Sequence, residues 1–323
     1  MTRSGLIHRL SIGLLSQRAC VLHAAVFACA VGVAAYGAQA APGDAEEPTM
    51  FVRLIDPGQE PRRALRLQVK PGDEQRIIFE QRLQLRMRID PLPEPMQDAS
   101  SSEISLLIEV LEPRGEDISY RATYTGVRIH DNDDMEEDVA DEMREVLDDF
   151  VGMRMRVDVT DRCEVRAVER EGGALQDPIM RALHEGIVDS MRQMSLPFPV
   201  EEVGVGAEWV VDSTIEMMGA RFASIFTVQV TELTETGYEA TISGQVHAAD
   251  QPIEFDMMPG DASARIVISI GESHGTLRHD LRQVLPLVRM RSVSDTEMIV
   301  SHEMMHTVIK QSMEMDISLR AQE

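Results

Sequence analysis

Hydrophobic and polar residues alternate along most of this chain, with the period of two that is typical of half-buried β-strands. The alternating stretches are separated by short turns rich in Gly, Pro and Asp, such as Pro71–Asp73 and Pro113–Gly115. Strands joined at such short spacing pair antiparallel, because a parallel crossover needs about a dozen or more residues. The pattern therefore predicts a large curved antiparallel sheet, or two similar β-units, as the main part of the fold.

Two segments have a helical period instead. Between residues 134 and 151 the apolar residues recur every three or four positions, with Asp133 before the first turn and Gly152 after the last. A second apolar stripe covers residues 178–194 and begins at Asp177-Pro178, a favoured N-cap followed by a favoured first helical residue. These stripes predict two central amphipathic helices, and hence an α+β fold that is mainly β.

The first 40 residues are typical of an export signal. Three arginines precede or begin an apolar stretch, and Ala38 and Ala40 supply small residues before a cleavage site. We therefore expect an exported protein of the periplasm or the extracellular space, with no stable membrane span after cleavage. The alternative is an uncleaved signal that remains as an anchor, since the apolar stretch approaches membrane-spanning length.

The rest of the chain is predicted to be one large domain. Residues 41–63 are rich in Pro, Gly and acidic side chains, which predicts a flexible linker before a single β-rich domain at 64–320. Residues 120–126 (YRATYTG) and 238–244 (YEATISG) are similar. One interpretation is an internal duplication around the two helices, and the other is a chance resemblance between strands. The duplicated units would be residues 64–130 and 200–320.

Charge and composition exclude some partners. The chain has 31 Lys and Arg residues against 55 Asp and Glu residues, a net charge of −24. A field of this sign repels nucleic acid, which is therefore not an expected partner. Only Cys163 remains once the signal is removed, so no intrachain disulfide can form. Methionine is abundant at 21 residues, and its flexible side chain can line either a core or an adaptable binding site.

A zinc-hydrolase motif lies near the C-terminus, where His302-Glu303-Met304-Met305-His306 matches H-E-x-x-H. This chemistry requires a helix, so that His302 and His306 bind one zinc ion and Glu303 acts as the base. No third ligand stands at the expected spacing, and few residues follow. We favour a Met-rich core strand without metal. The alternatives are a zinc site or a Cu(I) site of His and Met, and the sequence does not decide between strand and helix for residues 295–310.

A serine-hydrolase motif occurs shortly before it, in Gly271-Glu272-Ser273-His274-Gly275. A nucleophile elbow needs a strand-to-helix turn on a parallel sheet, with the acid and the histidine well downstream. Here the preceding strands are predicted to be antiparallel and the remaining chain is short. A glycine-bounded hairpin is the interpretation that we favour over a catalytic Ser273.

The stretch PVEEVGVGAEW, residues 199–209, together with KPGD at 70–73, resembles an uncharacterised family of exported bacterial domains. That family has a KPGD-type strand start and a PVxxVGVGxxW signature, and it has no established activity. The resemblance covers about residues 65–319 and implies architecture and export, but no catalytic residue. There is also a distant likeness to the half-barrels that carry lipoproteins in the periplasm. Trp209, at the end of the signature, is either a core residue or a candidate platform for a ligand.

Together these features predict a cell-envelope protein that is a non-enzymatic binding or scaffold domain. Its expected partner is an apolar small molecule, a lipid or another envelope protein, while methionines that pack a solid core are the competing interpretation. No cofactor, metal or catalytic residue is assigned. The alternative function is a hydrolase that uses Glu303 with zinc, or Ser273.

Overall fold

A computed structural model describes residues 50–91, 95–130, 150–172, 196–217, 220–253, 262–302 and 305–322. These residues form twelve β-strands. The strands are β1 (Met50–Asp56), β2 (Glu74–Ile89), β3 (Met96–Val110), β4 (Ile118–His130), β5 (Arg154–Val159), β6 (Val165–Glu171), β7 (Glu208–Met217), β8 (Ala220–Leu233), β9 (Gly237–Ile253), β10 (Ala262–Asp280), β11 (Leu287–His302) and β12 (Met305–Ala321).

All twelve strands belong to one sheet, in the order β1-β7-β8-β9-β10-β11-β12-β2-β3-β4-β5-β6, and every neighbouring pair is antiparallel. The hairpins β2–β5 and β7–β12 each run through the sheet in chain order. The chain's last strand, β12, joins the two sets by pairing with β2 over residues 309–321. The antiparallel pairing that the alternation predicted is therefore confirmed.

The predicted α+β class is wrong, because the described residues are all-β and include no helix. The two segments predicted to be helical, 134–151 and 178–194, lie outside the described residues except for Phe150 and Val151, which form a turn. The class of the described fold is set by the period-two segments alone. These extend over as many as 19 residues in β10, far beyond the usual strand length of about five or six.

The predicted linker at 41–63 also differs from the structure, because it contains strand β1. Val52 and Leu54 of β1 pack against the core, and the strand pairs with β7 from Met50↔Ser213 onward. The alternating sequence MFVRLID carries this signal, but the neighbouring Pro, Gly and acidic residues mask it when composition is averaged.

Each long strand has an inner face that contributes to the core and an outer face that is exposed. In β2, for example, Ile77, Phe79 and Leu83 at odd positions are buried, while Arg76, Arg82 and Arg86 at even positions are exposed. Because side chains alternate across a strand, most apolar residues of a strand lie on the same side, with exceptions such as Ile78.

The sheet curls until distant strands meet at one end, which we call the closed end. The backbone N–H of Phe198 donates to the carbonyl of Arg162 in the β5–β6 turn (2.9 Å), while the Phe198 ring lies 5.9 Å from that of Tyr238 in β9. Strands β9 and β5 are fourth and eleventh in the order, so seven spacings would separate them by about 34 Å in a flat sheet. Strong curvature is therefore required.

Two connecting segments, residues 57–73 and 196–207, cross the closed end and hold it together. The N–H of Leu67 donates to Asp161 in the β5–β6 turn, and the neighbouring N–H of Gln68 donates to Leu281 after β10. Antiparallel backbone bonds between Arg63 and Val203 join the two segments to each other. The strand ends at the opposite end of the sheet carry a smaller apolar cluster that includes Phe222, Ile253 and Ile266.

Candidate functional site

The inner face of six adjacent strands is free of charged residues, although the chain carries 86 of them. The strand registers place Arg, Glu, Asp and Lys of these strands on the outer face, where they form pairs such as Arg291–Glu314 and Arg320–Glu80 (both 2.6 Å). The uncharged inner positions are the even residues 220–230 of β8 and 238–248 of β9, the odd residues 269–279 of β10, the even residues 288–300 of β11, and the odd residues 307–319 of β12 and 77–89 of β2. Such a surface suits a neutral, apolar occupant.

Midway along these strands the inner face carries unusually small side chains, which we call the serine belt. Its members lie in two adjacent rows that cross the strands from β7 to β11. They are Ser213, Ser224, Gly244, Gly271, Ser273, Ser292 and Ser294. Closer to the closed end the equivalent positions are large and apolar, as in Ile242, Leu277 and Ile317. The belt is interrupted by Val246 in one row and by Phe226 in the other, and we call this stretch of small side chains the trough.

Small residues are unexpected at these positions. Side chains fill the interior of a closed sheet of about eight strands, and a wider sheet encloses more space than they can fill. A curled sheet of twelve strands would need its largest side chains at the middle of the inner face to pack itself solid. The serine belt has the smallest ones there, although Ser224, Ser273 and Ser292 are themselves buried.

Methionines border the trough on β12. Met313 lies opposite Ser294, and Met315 lies opposite Ser292. The amide nitrogen of Gln81 donates to the sulfur of Met315 (3.1 Å). Further along the same face, Met298 and Met87 are half-buried. Methionine side chains adapt their shape at low cost, which suits contact with a flexible apolar chain.

Hydroxyl groups of the belt differ in whether they have partners. The Oγ atoms of Ser273 and Ser292 hydrogen-bond each other (2.7 Å), and Ser269 and Thr296 form a similar pair two rows away, just outside the belt (2.8 Å). The hydroxyl of Ser224, whose side chain is 0% exposed, has no hydrogen-bond partner in the part of the chain that the structure describes. Among the described residues, it is the one belt hydroxyl that is both fully buried and without a hydrogen-bond partner.

The closed end is filled by an aromatic cluster around Tyr238. The ring of Tyr238 lies 6.1 Å from that of Trp209, and the rings of Phe198 and His279 also pack against it. Trp209 is 0% exposed and so offers no ring surface to a ligand in this structure. The structure therefore places the candidate platform residue in the core, outside the trough.

Burial changes the acid–base properties of this cluster. The imidazole of His279 is almost inaccessible, and burial lowers its pKa to about 4, although its Nε2–H donates to the carbonyl of Gln283 (3.1 Å). Burial also raises the pKa of Tyr238 and of the nearby Cys163 thiol. All three groups are therefore uncharged at neutral pH, as a core residue must be when it has no charged partner.

The H-E-x-x-H residues lie at the end opposite to the closed end, at the tip of the β11–β12 hairpin. His302 ends β11 and His306 lies in β12, where its Nδ1 hydrogen-bonds the Oγ of Ser301 (2.8 Å). Glu303 and Met304 lie outside the described residues. Residues 295–302 and 305–310 are strand, as the favoured interpretation predicted, so the helical zinc geometry does not form there.

The G-x-S-x-G residues lie in the middle of β10, and Ser273 belongs to the serine belt. The predicted hairpin at this motif is wrong, because all five residues pair continuously with β9 and β11. Ser273 is 3% exposed, faces inward and bonds Ser292, whereas a nucleophile elbow requires a sharp turn. His274 points to the opposite face, so motif neighbours cannot assemble a catalytic set around Ser273.

A depression of about 370 Å³ on the sheet lies between β2, β11 and β12. Its polar lining mixes both signs of charge, with Arg82, Arg289 and Arg291 close to Glu80 and Asp316. Because these charges nearly balance, the depression has no clear preference for an anion or a cation. The trough on the inner face is the better candidate site.

Neither a metal cluster nor a membrane-spanning helix is present in the part of the chain that the structure describes. Among the described ranges, no group of three or more His, Cys, Asp or Glu residues is arranged to hold a metal ion. The same residues contain no helix that is long and apolar enough to cross a membrane. No protein-family model matches the chain, and no curated protein matches it significantly. The resemblance to exported bacterial domains therefore stays an expectation.

Sequence reasoning missed the serine belt and the isolated hydroxyl of Ser224. The available signal was the repeated Gly or Ser at every second position of β10 and β11, within strands whose other inner residues are large. Only the registers between strands reveal that these small residues, scattered over about 80 positions of sequence, are neighbours.

Proposed function

We propose that this protein is a non-enzymatic carrier or binding protein for a neutral apolar ligand, such as a molecule with an acyl chain. The ligand occupies the trough of the serine belt and contacts Met313 and Met315 at its β12 side. The observation that carries the proposal is the belt itself: the smallest inner side chains lie midway along a sheet too wide to fill its own interior.

Two further features support this function. The uncharged inner face excludes water-soluble ions but not a hydrocarbon chain, which gains about 0.8 kcal/mol for each CH₂ group that it buries. The edge strands β1 and β6 do not pair with each other among the described residues, and we propose that an apolar molecule enters between them.

The competing interpretation is a solid core with no ligand. The variant Ser294→Leu separates the two, because it inserts a large side chain into the trough beside Gly271 and Met313. We expect native mass spectrometry of the purified protein to detect a bound lipid-sized molecule, and Ser294→Leu to lose it while the protein keeps its fold. The matched control is Ser243→Leu on the exposed outer face of β9.

The solid-core interpretation makes the opposite forecast. The unmodified protein carries no ligand under gentle purification, and Ser294→Leu is overpacked and loses about 1–3 kcal/mol of stability. That combination would reject the proposed function.

We also propose that the protein acts outside the cytoplasm, in the periplasm or the extracellular space. The charge, apolar and small-residue pattern of residues 1–40 supports this location. N-terminal sequencing of the protein recovered from its cells tests it, with Ala41 as the expected first residue. An unprocessed Met1 together with recovery from the cytosol would contradict it.

A further inference from the structure

The hydroxyl of Ser224 is unusual within the serine belt. The belt's β10 and β11 hydroxyls, in Ser273 and Ser292, satisfy each other, whereas Ser224 is fully buried and has no partner within the described residues. A buried hydroxyl without a hydrogen bond destabilises a protein, because it has lost its hydrogen bonds to water and has formed none within the protein. A polar group that the sheet leaves unsatisfied in a candidate binding trough is a natural partner for a ligand atom.

The surroundings of Ser224 define what that atom can be. Ser224 lies opposite Ser213 on β7 and Val246 on β9, and the next belt residue in its row is Gly271. Among the described residues, no charged side chain lies on the inner face of β8 to β12 or β2, so an ionised group here would have no counter-charge from these strands. The complementary group is therefore a neutral acceptor, such as the carbonyl of an ester or an amide.

The trough supplies a path for the rest of such a molecule. From β8 it crosses four strand spacings to β12, a distance of about 19 Å, and it ends at Met313 and Met315. At β10 and β11 the small residues Gly271 and Ser294 lie beneath this path. A long acyl chain can follow this path with its carbonyl at one end, beside Ser224.

We propose that Ser224 Oγ donates a hydrogen bond to the carbonyl of a neutral acyl ester or amide, and thereby fixes how the ligand lies in the trough. This inference rests on the proposed function. Phe222 and Phe226 lie two residues to either side of Ser224 on the same face. The ring of Phe226 lies over Gly244, and ligand binding requires the side chains that bury Ser224 to move.

The experiment compares two probes that differ at the carbonyl alone: a long-chain monoacylglycerol and the matching glycerol ether, in which a CH₂ group replaces the carbonyl. Affinities are measured for the full chain, for Ser224→Ala and for the control Ser243→Ala, which removes an exposed hydroxyl from the outer face. We expect the unmodified protein and Ser243→Ala to bind the ester about three- to tenfold more tightly than the ether. Ser224→Ala should bind both probes equally.

A spectroscopic measurement removes any dependence on the stability of the variant. With the ester carbonyl labelled with ¹³C, its infrared stretching band should lie at lower frequency when bound to the unmodified protein than when dissolved in an alkane, where it accepts no hydrogen bond. Equal affinities for ester and ether in the unmodified protein, or an unshifted carbonyl band, would overturn the role of Ser224 and leave the proposed function standing. Failure of both probes to bind the unmodified protein would reject the proposed function itself.

Discussion

Protonation of His279 should make the stability of this fold depend on pH in a predictable way. The imidazole is buried among the rings of Phe198 and Tyr238, and burial lowers its pKa from 6.5 to about 4. In the unfolded chain the same imidazole is in water and recovers its ordinary pKa. At a pH between these two pKa values, the imidazole binds a proton in the unfolded state but not in the folded state, so acid favours unfolding.

The size of the effect follows from the two pKa values. Above pH 6.5 the imidazole is neutral in both states, and the fold has its full stability. As the pH falls, stability is lost progressively until the folded pKa is reached, for a total of about 3 kcal/mol over the 2.5 units. At pH 5 the loss should be about 2 kcal/mol. The carboxyl of Asp280, whose pKa is lowered to about 2 mainly by its hydrogen bond from Arg282, contributes only below pH 3.8 and leaves this window undisturbed.

Urea denaturation at pH 8, 7, 6 and 5 measures the effect, and the fluorescence of Trp209, the chain's single and fully buried tryptophan, reports unfolding. His279→Gln, which keeps a hydrogen-bonding side chain but does not titrate, should lower stability at pH 8 and flatten the dependence between pH 7 and 5. The matched control is His274→Gln, five residues earlier in the same strand but exposed on the outer face. It should retain the dependence of the unmodified protein.

Two results would refute this reasoning. One is a stability that does not change between pH 7 and 5 in the unmodified protein. The other is a dependence that persists in His279→Gln, because it would then originate from another group. Either outcome would mean that the imidazole is solvated or paired in the folded state.

Two further predictions concern the backbone and the thiol. Gly237→Ala should prevent folding, because its Cβ would overlap the backbone oxygen of His279. Gly271→Ala should instead lower stability by less than about 1 kcal/mol, because its Cβ would lie 3.3 Å from the Cβ of Ser294, which can shift slightly. Circular dichroism shows whether each variant folds, and denaturation measures its stability. Burial raises the pKa of the Cys163 thiol, so in a form without the first 40 residues this thiol should react with a disulfide reagent at pH 8 only after denaturant is added. Rapid reaction of the native protein would contradict the second expectation.

Local pattern was sufficient to predict many strands of this sheet. Strands β4, β7, β8 and β9 lie where apolar and polar residues alternate, as they also do in β5. The pattern failed where composition obscured it, as in β1. It also failed at GESHG, because two glycines suggested a turn, whereas β10 uses them for close contacts with β11 and β9.

Motifs were a weaker guide than alternation. H-E-x-x-H and G-x-S-x-G describe spacings that have chemical meaning only in a helix or a sharp turn. In extended strands the same spacings place Ser273 and His274 on opposite faces, and His302 and His306 on different strands of a hairpin. The short tail and the missing third ligand already disfavoured zinc, but only the backbone excluded the helical geometry.

Alternation was enough to predict antiparallel pairing and the apolar side of most strands, because these properties depend on neighbours within a few residues, although it missed β1 and the middle of β10. The curl of the sheet could not be predicted in this way, since it depends on distant contacts such as those of Phe198 with Arg162 and Tyr238. The same long-range pairing buried Trp209 in the core, gathered Gly and Ser residues of five strands into one trough, and left the hydroxyl of Ser224 without a partner there.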